Sequence, residues 1–243
     1  MIVIFLIEHL RRKSCTLRVE LISNTKDPEI TCARCAAVSW QRKGMKDLTL
    51  NEARQIIREV LSHRHESVIE HANFTFFVEE ISRSLTHQLV RHRMASYTQQ
   101  SMRYVNLTKS KEYFIKPESI AKNQNLSSSF DEIMAKCKDV YDFFVDKGVP
   151  PEDARFVLPI ATQTKIAITM NARELRHFFE LRCCLRSQWE IRELADKILE
   201  ICRSVAPSLF ENAGPSCVRL GYCPEAGLAC GKINQVLEKY ITK

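Results

Sequence analysis

The sequence predicts an α+β fold, a mainly antiparallel sheet flanked by helices, and three observations carry that expectation. Segments of helical apolar period come with their own capping residues. Between them lie short runs rich in β-branched and aromatic residues, which read as strands. The two kinds do not alternate regularly, so a doubly wound parallel sheet is not expected. At 243 residues, with 45% hydrophobic and 27% charged side chains, the chain can bury a real core and is not disordered.

Residues 1–16 read as an N-terminal extension. Ile2 to Ile7 is apolar, but Glu8 ends the run and Arg11, Arg12 and Lys13 follow it, the reverse of a signal peptide. No apolar stretch approaches the length of a membrane span, so a cytoplasmic protein is expected. Leu17 to Ile22 alternates and predicts a strand, Asp27-Pro28 breaks it, and Cys32 to Val38 predicts a short helix. Thr49 to Leu61 is a clearer helix, with a Thr49/Glu52 capping box and one apolar face at Ala53, Ile56, Ile57, Val60 and Leu61. Ser62 to Ser67 is a polar link into the strand Asn73 to Val78. A helix is expected over Glu79 to His92, then short strands at Tyr104 to Leu107 and Tyr113 to Ile115 around a Lys109-Ser110-Lys111 turn.

Asn123 to Ser129 reads as a loop. Ser129 and Glu132 cap a helix with its stripe at Ile133, Cys137, Val140, Tyr141 and Phe144, stopped by Gly148 and Pro150. A short helix over Glu152 to Leu158 and a strand over Thr164 to Met170 follow. Asn171 and Glu174 cap a helix carrying Leu175, Phe178, Phe179 and Arg182. The last long helix, Gln188 to Val205, has its stripe at Ile191, Leu194, Ala195, Ile198, Cys202 and Val205. One domain is expected over 17–215, with a Cys-containing C-terminal tail at 216–243.

The chemistry concentrates at residues 88–105. Arg91, His92 and Arg93 stand together, followed by Ser96, Thr98, Gln99, Gln100, Ser101 and Arg103, and no Asp or Glu occurs between Ile81 and Lys111. Arginine forks suit phosphate and carboxylate, so the stretch reads as a cradle for a polar anion such as a nucleotide. The rival reading is a solvated basic helix end, whose cations complement the helix dipole. Arg182 shares the inward stripe of Leu175 and Phe178, where a guanidinium is costly unless a partner or ligand satisfies it. The plainer readings are that it reaches out from the edge of that stripe, or pairs with Glu180 or Glu190. Arg155, between two prolines, is a weaker candidate, and Asn171-Ala-Arg173 offers backbone donors at a helix start.

The net charge of +7 suggests an anionic partner without choosing among nucleotide, nucleic acid and membrane. His63, His65 and His71 with Glu66 and Glu70 fit no zinc spacing. Ser101 lacks a nucleophile elbow. With six glycines in the whole chain there is no glycine-rich phosphate loop. Ten cysteines fit reduced thiols in a cytosolic chain. Cys32 and Cys35 form a half-site with no second pair, and Cys217, Cys223 and Cys230 are read as ordinary thiols rather than a metal-tied tail, so no metal is expected. A catalytic thiol is not expected either, Cys183 and Cys184 being the nearest to the motifs.

Arg91-His92-Arg93, seven residues, then Ser101 resembles the signature of the flavin-dependent thymidylate synthases, with Gln88 before it and Arg103-Tyr104 after it. The resemblance extends over roughly Val19 to Leu199. It includes His65-Glu-Ser-Val-Ile-Glu-His-Ala-Asn-Phe-Thr-Phe76, Ala154-Arg-Phe-Val-Leu-Pro159, and Asn171 to Arg182 followed by Gln188-Trp-Glu190. It implies methylation of dUMP to thymidylate with methylenetetrahydrofolate as carbon source, FAD as hydride carrier and NADPH as reductant, in a homotetrameric flavoprotein with active sites at subunit contacts. By resemblance, Ser67, Arg91, His92, Arg93, Gln99, Asn171, Arg173 and His177 would hold the flavin. Gln88, Arg91, Gln99, Gln100, Ser101, Met102, Arg103, Arg155 and Arg182 would hold the nucleotide, Arg182 also assisting ionisation of the pyrimidine. Gln99 stands where some members have an acid, and Met102 where they have glycine. The alternatives are a non-catalytic basic protein binding nucleic acid, or a flavoenzyme acting on another uracil nucleotide. Neither nucleic acid nor membrane is the expected partner.

Overall fold

A computed structural model describes residues 17–39, 48–105, 107 and 114–241. The expectations for residues 1–16 and for the Lys109-Ser110-Lys111 turn lie outside them. Helices are combined with a four-stranded antiparallel sheet in the order β1-β2-β4-β3. The strands are β1 (Arg18–Asn24), β2 (Asn73–Ser82), β3 (Ala95–Gln99) and β4 (Gln163–Asn171). No described helix is long and apolar enough to cross a membrane. The chain divides into two compact units, one holding Val19–Phe77, Gln88–Thr98 and the chain from Ala167 on, the other Val78–His87 and Gln99–Ile166 with Arg18.

In the first unit α1 (Pro28–Val38) starts four residues before the expected Cys32. Pro28 reads as a breaker, yet it sits in the first turn, where its fixed φ suits the helix and its missing N–H leaves nothing unpaired. Ala33 and Ala36 let α1 approach α2 (Leu50–Ser62) closely, against Ala53, Ile56 and Val60. The expected capping box is formed, Thr49 with Glu52. Glu29, only 3% exposed, would be costly in that interface unless satisfied. It accepts from Arg54 Nε at 3.0 Å and from the amide and hydroxyl of Ser208 at 2.7 and 2.6 Å. A 3-10 turn, Glu66–His71, occupies part of the expected polar link.

Later in the same unit, Asn171 caps α7 (Ala172–Arg182) by accepting from the Glu174 amide at 2.9 Å. The next long helix, α8 (Trp189–Val205), is capped by Gln188 and buries Ile191, Leu194, Ala195, Ile198, Leu199 and Cys202. Beyond residue 215 come α9 (Ser216–Leu220) and α10 (Ile233–Tyr240). α10 is packed rather than free. Tyr240 donates its hydroxyl hydrogen to Asp196 at 2.5 Å, Lys239 pairs with Asp196 at 2.6 Å, and Arg203 donates to the carbonyls of Ala213 and Tyr240.

The helix expected over Glu79 to His92 is shorter, because β2 continues to Ser82. Phe74, Phe76 and Val78 are buried alternately, then Glu80 at φ 58° interrupts the pleat and Ile81 and Ser82 are both buried. A one-residue slip of this kind marks a bulged strand, and it mimics a helical stripe in the sequence. The Ser82 hydroxyl then accepts from the Leu85 amide at 3.0 Å, capping α3 (Arg83–Leu89).

In the second unit α4 (Glu118–Ala121) precedes α5 (Gln124–Asp146), which begins within the expected loop. Asn123 supplies the cap by accepting from the amides of Asn125 and Leu126, so Ser129 and Glu132 lie inside the helix and Glu132 pairs with Lys136 instead. Only Tyr141 of the expected stripe is buried, while Ile133 and Val140 are 52% and 41% exposed. Tyr104 and Val105 lie in a turn and a bend, not a strand, whereas Phe114 bridges Thr162 in antiparallel fashion. α6 (Pro151–Ala154) and the 3-10 turn Arg155–Val157 occupy the expected short helix.

Candidate active site

The first unit brings together the end of α3, the turn after it and the last turn of α7. Arg91 and His92 donate their amides back to Gln88 and Leu89, ending α3, and β3 starts three residues later. Across this turn the side chains alternate. Arg91 and Arg93 are exposed, while His92 is buried against Phe178, ring centroids 5.0 Å apart and edge-on. Its Nε2 accepts from Arg182 Nε at 3.0 Å and its Nδ1 lies 3.3 Å from Glu174. Since Nε2 is the acceptor, the ring proton belongs on Nδ1, donated to the carboxylate.

Electrostatics agree with a neutral imidazole. Burial, helped by the neighbouring Arg182 and His177, holds the His92 pKa down to about 4. The His92–Glu174 contact is therefore a hydrogen bond to a neutral ring at pH 7 and not an ion pair. Burial raises the Glu174 carboxyl and the nearby His177 partly opposes that. Tyr97 shares its hydroxyl hydrogen between the carbonyls of Leu89 and His92 at 2.9 and 2.8 Å, fixing the turn, and burial raises its phenol.

Arg182 is half-buried, and its hydrogen-bond partners are the uncharged His92 ring and the Gln88 carbonyl at 3.4 Å. Neither alternative acid takes it, as Glu180 is bound by Arg219 at 2.7 Å and no ion pair joins Arg182 to Glu190 among the described residues. Desolvation lowers its pKa without neutralising so strong a base. Gln88, Arg182, Arg186 and Gln188 line one cavity of about 350 Å3 together with Glu180 and Glu225, whose carboxylates are paired with Arg219 and Arg186. A cation whose own hydrogen-bond partners are neutral is arranged to meet an anion there.

The remaining candidates of this unit sit on neighbouring elements. Ser67 is exposed on the 3-10 turn, and His177 is exposed on α7 with its ring 5.9 Å from that of His92. Arg173 is ion-paired with Glu70 at 2.5 Å. The backbone donors expected at the start of α7 are largely committed, since the Ala172 amide donates to the Ala72 carbonyl at 2.8 Å and the Glu174 amide to Asn171. An anion there would meet the Arg173 side chain rather than a ring of free amides.

The second unit carries the rest. Gln99 donates to Thr86 and Thr164 at 3.1 and 3.4 Å, and the Gln100 amide pairs with the Lys165 carbonyl at 2.9 Å. The Ser101 hydroxyl accepts from the Arg103 amide at 3.1 Å. Met102 is in the core, packed with Leu107, Tyr141 and Ala154. Arg103 has a counter-ion after all, Glu152. Arg155 donates to the Glu152 carbonyl at 2.9 Å and lies close enough to Arg83 to lower its pKa, after burial.

Arg83 belongs to the cations that the sequence shows without a local acid. Tyr97 was not singled out and Glu174 was read only as a cap, because neither carries a local signal of a partner at His92.

Comparison with known proteins covers most of the chain. The family model described as thymidylate synthase complementing protein matches residues 20–208. A flavin-dependent thymidylate synthase of Geobacter sulfurreducens is 46% identical over 224 residues, 90% of this chain and 96% of the relative. One from Clostridium tetani is 43% identical over 252 aligned residues, covering 96% of this chain and all of the relative. One from Pyrococcus furiosus is 45% identical over 222 residues, 87% of this chain and 91% of the relative.

Proposed function

Since the chain belongs to the family of flavin-dependent thymidylate synthases, we propose how its own side chains divide the work of that enzyme. The reaction is the reductive methylation of dUMP to dTMP, with methylenetetrahydrofolate as carbon donor and NADPH as reductant. FAD supplies the hydride when bound, so no protein thiol is required as nucleophile.

The donor set fits a flavin with its diphosphate. Arg91 and Arg93 stand exposed with no acidic partner among the described residues, and Arg173 lies in the same unit. Ser67, Asn171 and His177 complete the flavin-holding group, and His92 serves it as a neutral positioning residue. Arg182 contacts the pyrimidine. Its charge stabilises the negative charge that develops on the imide as the ring becomes nucleophilic. In the second unit Arg83 and Arg155 bind the substrate phosphate with Ser101 and Arg103. Gln88 and Gln100 complete the nucleotide set, Gln99 acting as a brace through Thr86 and Thr164.

The reading extends to a homotetramer with shared sites. Leu126, Ile133, Val140 and Phe143 are all exposed on α5, the first three at seven-residue intervals, an apolar strip of the kind another subunit covers. Such an enzyme acts in the cytoplasm on free nucleotides, not on nucleic acid or membrane.

The single observation carrying this division is the half-buried Arg182, held by uncharged partners in a cavity with Gln88. The test is reconstitution of the purified chain with FAD, then oxidation of the pre-reduced flavin on adding dUMP and methylenetetrahydrofolate without oxygen. A yellow protein that forms dTMP supports the reading. A chain that stays colourless at micromolar FAD overturns it.

A further inference from the structure

Four of the ten cysteines come together in the first unit, away from any role in the proposed reaction. Cys184 follows the end of α7, Cys217 is on α9, and Cys223 and Cys230 lie in the loops between α9 and α10. All four line one cavity of about 260 Å3, whose remaining wall is mostly apolar, with Leu185, Pro215, Ile233 and Val236 among its members. None is in a disulfide. Gly221 and Gly231, at φ 74° and 71°, make the turns next to Cys223 and Cys230.

We propose that these four cysteines are the ligands of an iron–sulfur cluster tying the loop after α7 to the C-terminal segment. Four cysteines around one cavity supply, once deprotonated, the ligand set of such clusters. The geometry disfavours a single zinc. At about 2.3 Å per Zn–S bond, tetrahedral thiolates stand roughly 4 Å apart. Among the described residues no three His, Cys, Asp or Glu side chains are grouped tightly enough to hold one ion. The spacings Cys217-x5-Cys223-x6-Cys230 are also longer than the close cysteine pairs of zinc sites. A cluster places iron atoms and sulfides between the thiolates and accepts the wider spread. Binding requires the thiols to lose their protons, which the metal drives.

The site shares Cys184, Cys217 and Cys223 with the wall of the cavity that contains Arg182, two residues before Cys184. The cluster is thus a brace behind the candidate pyrimidine site, independent of the flavin.

The test is iron and acid-labile sulfide per chain in the full-length protein purified without oxygen, before and after reconstitution with equal amounts of ferrous and ferric iron and with sulfide. Flavin is counted separately, because FAD absorbs where clusters do. About four iron and four sulfide per chain are expected for a cubane held by four thiolates, with a Mössbauer signature to match. Cys217→Ser and Cys223→Ser should each lose most of the iron, while Cys137→Ser, on α5, should keep it. One zinc per chain, a metal-free chain after reconstitution, or full iron in both serine variants would overturn the proposal. If the variants do not fold, the iron and sulfide count of the unaltered chain decides. Iron without flavin would sink only the flavin reading, and flavin without iron only this one.

Discussion

Arg182 Nε donates to His92 Nε2 at 3.0 Å, so the cation proposed to face the pyrimidine is aimed by a ring that is itself held by Glu174. The bond requires His92 to be neutral, because a protonated ring has no lone pair to offer. It leaves the guanidinium without a direct carboxylate partner, where an ion pair would have consumed its charge. Arg182→Ala is therefore expected to lower the saturated rate of flavin oxidation by roughly a hundred- to a thousandfold, the loss typical of one preorganised electrostatic donor. Nucleotide affinity should fall by less. Equal losses of binding and no added loss of rate would reduce Arg182 to an anchor, provided thermal melting shows the variant folded.

Stability should depend on pH through His92. Its folded pKa, about 4, lies below the ordinary 6.5. Above pH 6.5 the ring is neutral in both states and the protein has its full stability. As pH falls from 6.5 towards 4 the unfolded chain binds a proton that the folded chain refuses, and stability declines, levelling off below 4. The gap corresponds to at most about 3 kcal/mol. Urea unfolding between pH 4 and 8, compared with His92→Gln, should show a shallower decline in the variant. Identical slopes, or an NMR titration of His92 near 6.5, would refute the assignment.

The parts of the fold legible in the sequence were those fixed by local chemistry. Thr49/Glu52 and Asn171/Glu174 announce α2 and α7, alternation announces β1, and aromatic and β-branched content announces the start of β2. Errors arose where one local pattern imitates another. Pro28 reads as a stop and serves as a start, the bulge at Glu80 turns a strand's alternation into a helical stripe, and Asn123 caps a helix where a polar run suggests a loop. At the site, Arg182's inward placement was visible from its spacing, but its partner was not, because His92 lies 90 residues away. The stretch free of acids from 81 to 111 is real in sequence yet not in space, since Glu152 reaches Arg103 and Glu174 reaches His92. Cys217, Cys223 and Cys230 stand close together in the sequence, and only Cys184 is brought to them by the fold.

Met102 distinguishes a packing role from a binding one. Its side chain is 7% exposed and packs with Leu107, Tyr141 and Ala154. Met102→Leu preserves volume and should cost less than about 1.5 kcal/mol, with nucleotide affinity unchanged. Met102→Ala should cost about 2–5 kcal/mol by leaving a cavity. Denaturation with calorimetric binding of dUMP separates the two effects, and a stable Met102→Leu that no longer binds nucleotide would restore the side chain to the substrate set.

Arg173 is predicted to exchange partners. Its pairing with Glu70 is at the surface, so Glu70→Gln should change stability by less than about 1 kcal/mol. The same change removes a negative charge beside the proposed diphosphate contact, so FAD should bind more tightly at low salt, and the gain should shrink as salt screens it. Weaker FAD binding in Glu70→Gln would instead mean that the carboxylate orients Arg173 for the flavin.

Arg155 and Arg83 test the substrate phosphate. Two guanidiniums close enough for burial and mutual repulsion to lower the Arg83 pKa are costly in an empty site, and a dianionic phosphate removes that cost on binding. Arg83 gives one donor to the Gln100 carbonyl at 3.4 Å and Arg155 gives its Nε to the Glu152 carbonyl at 2.9 Å. The rest of each fork stays available, since no ion pair forms at either among the described residues. If the pair grips the phosphate, their contribution is the same before and during the chemical step. Arg155→Ala should then weaken dUMP binding by about 1.5–3 kcal/mol, the range for a hydrogen bond to a charged group, and leave the saturated rate near normal. Deoxyuridine, which lacks the phosphate, should bind wild type and variant alike. The contrast with Arg182→Ala is the sharper test, because one variant should lose affinity and the other rate. An Arg155→Ala enzyme that binds dUMP normally but turns over slowly would move Arg155 out of the phosphate group and beside the reacting atoms.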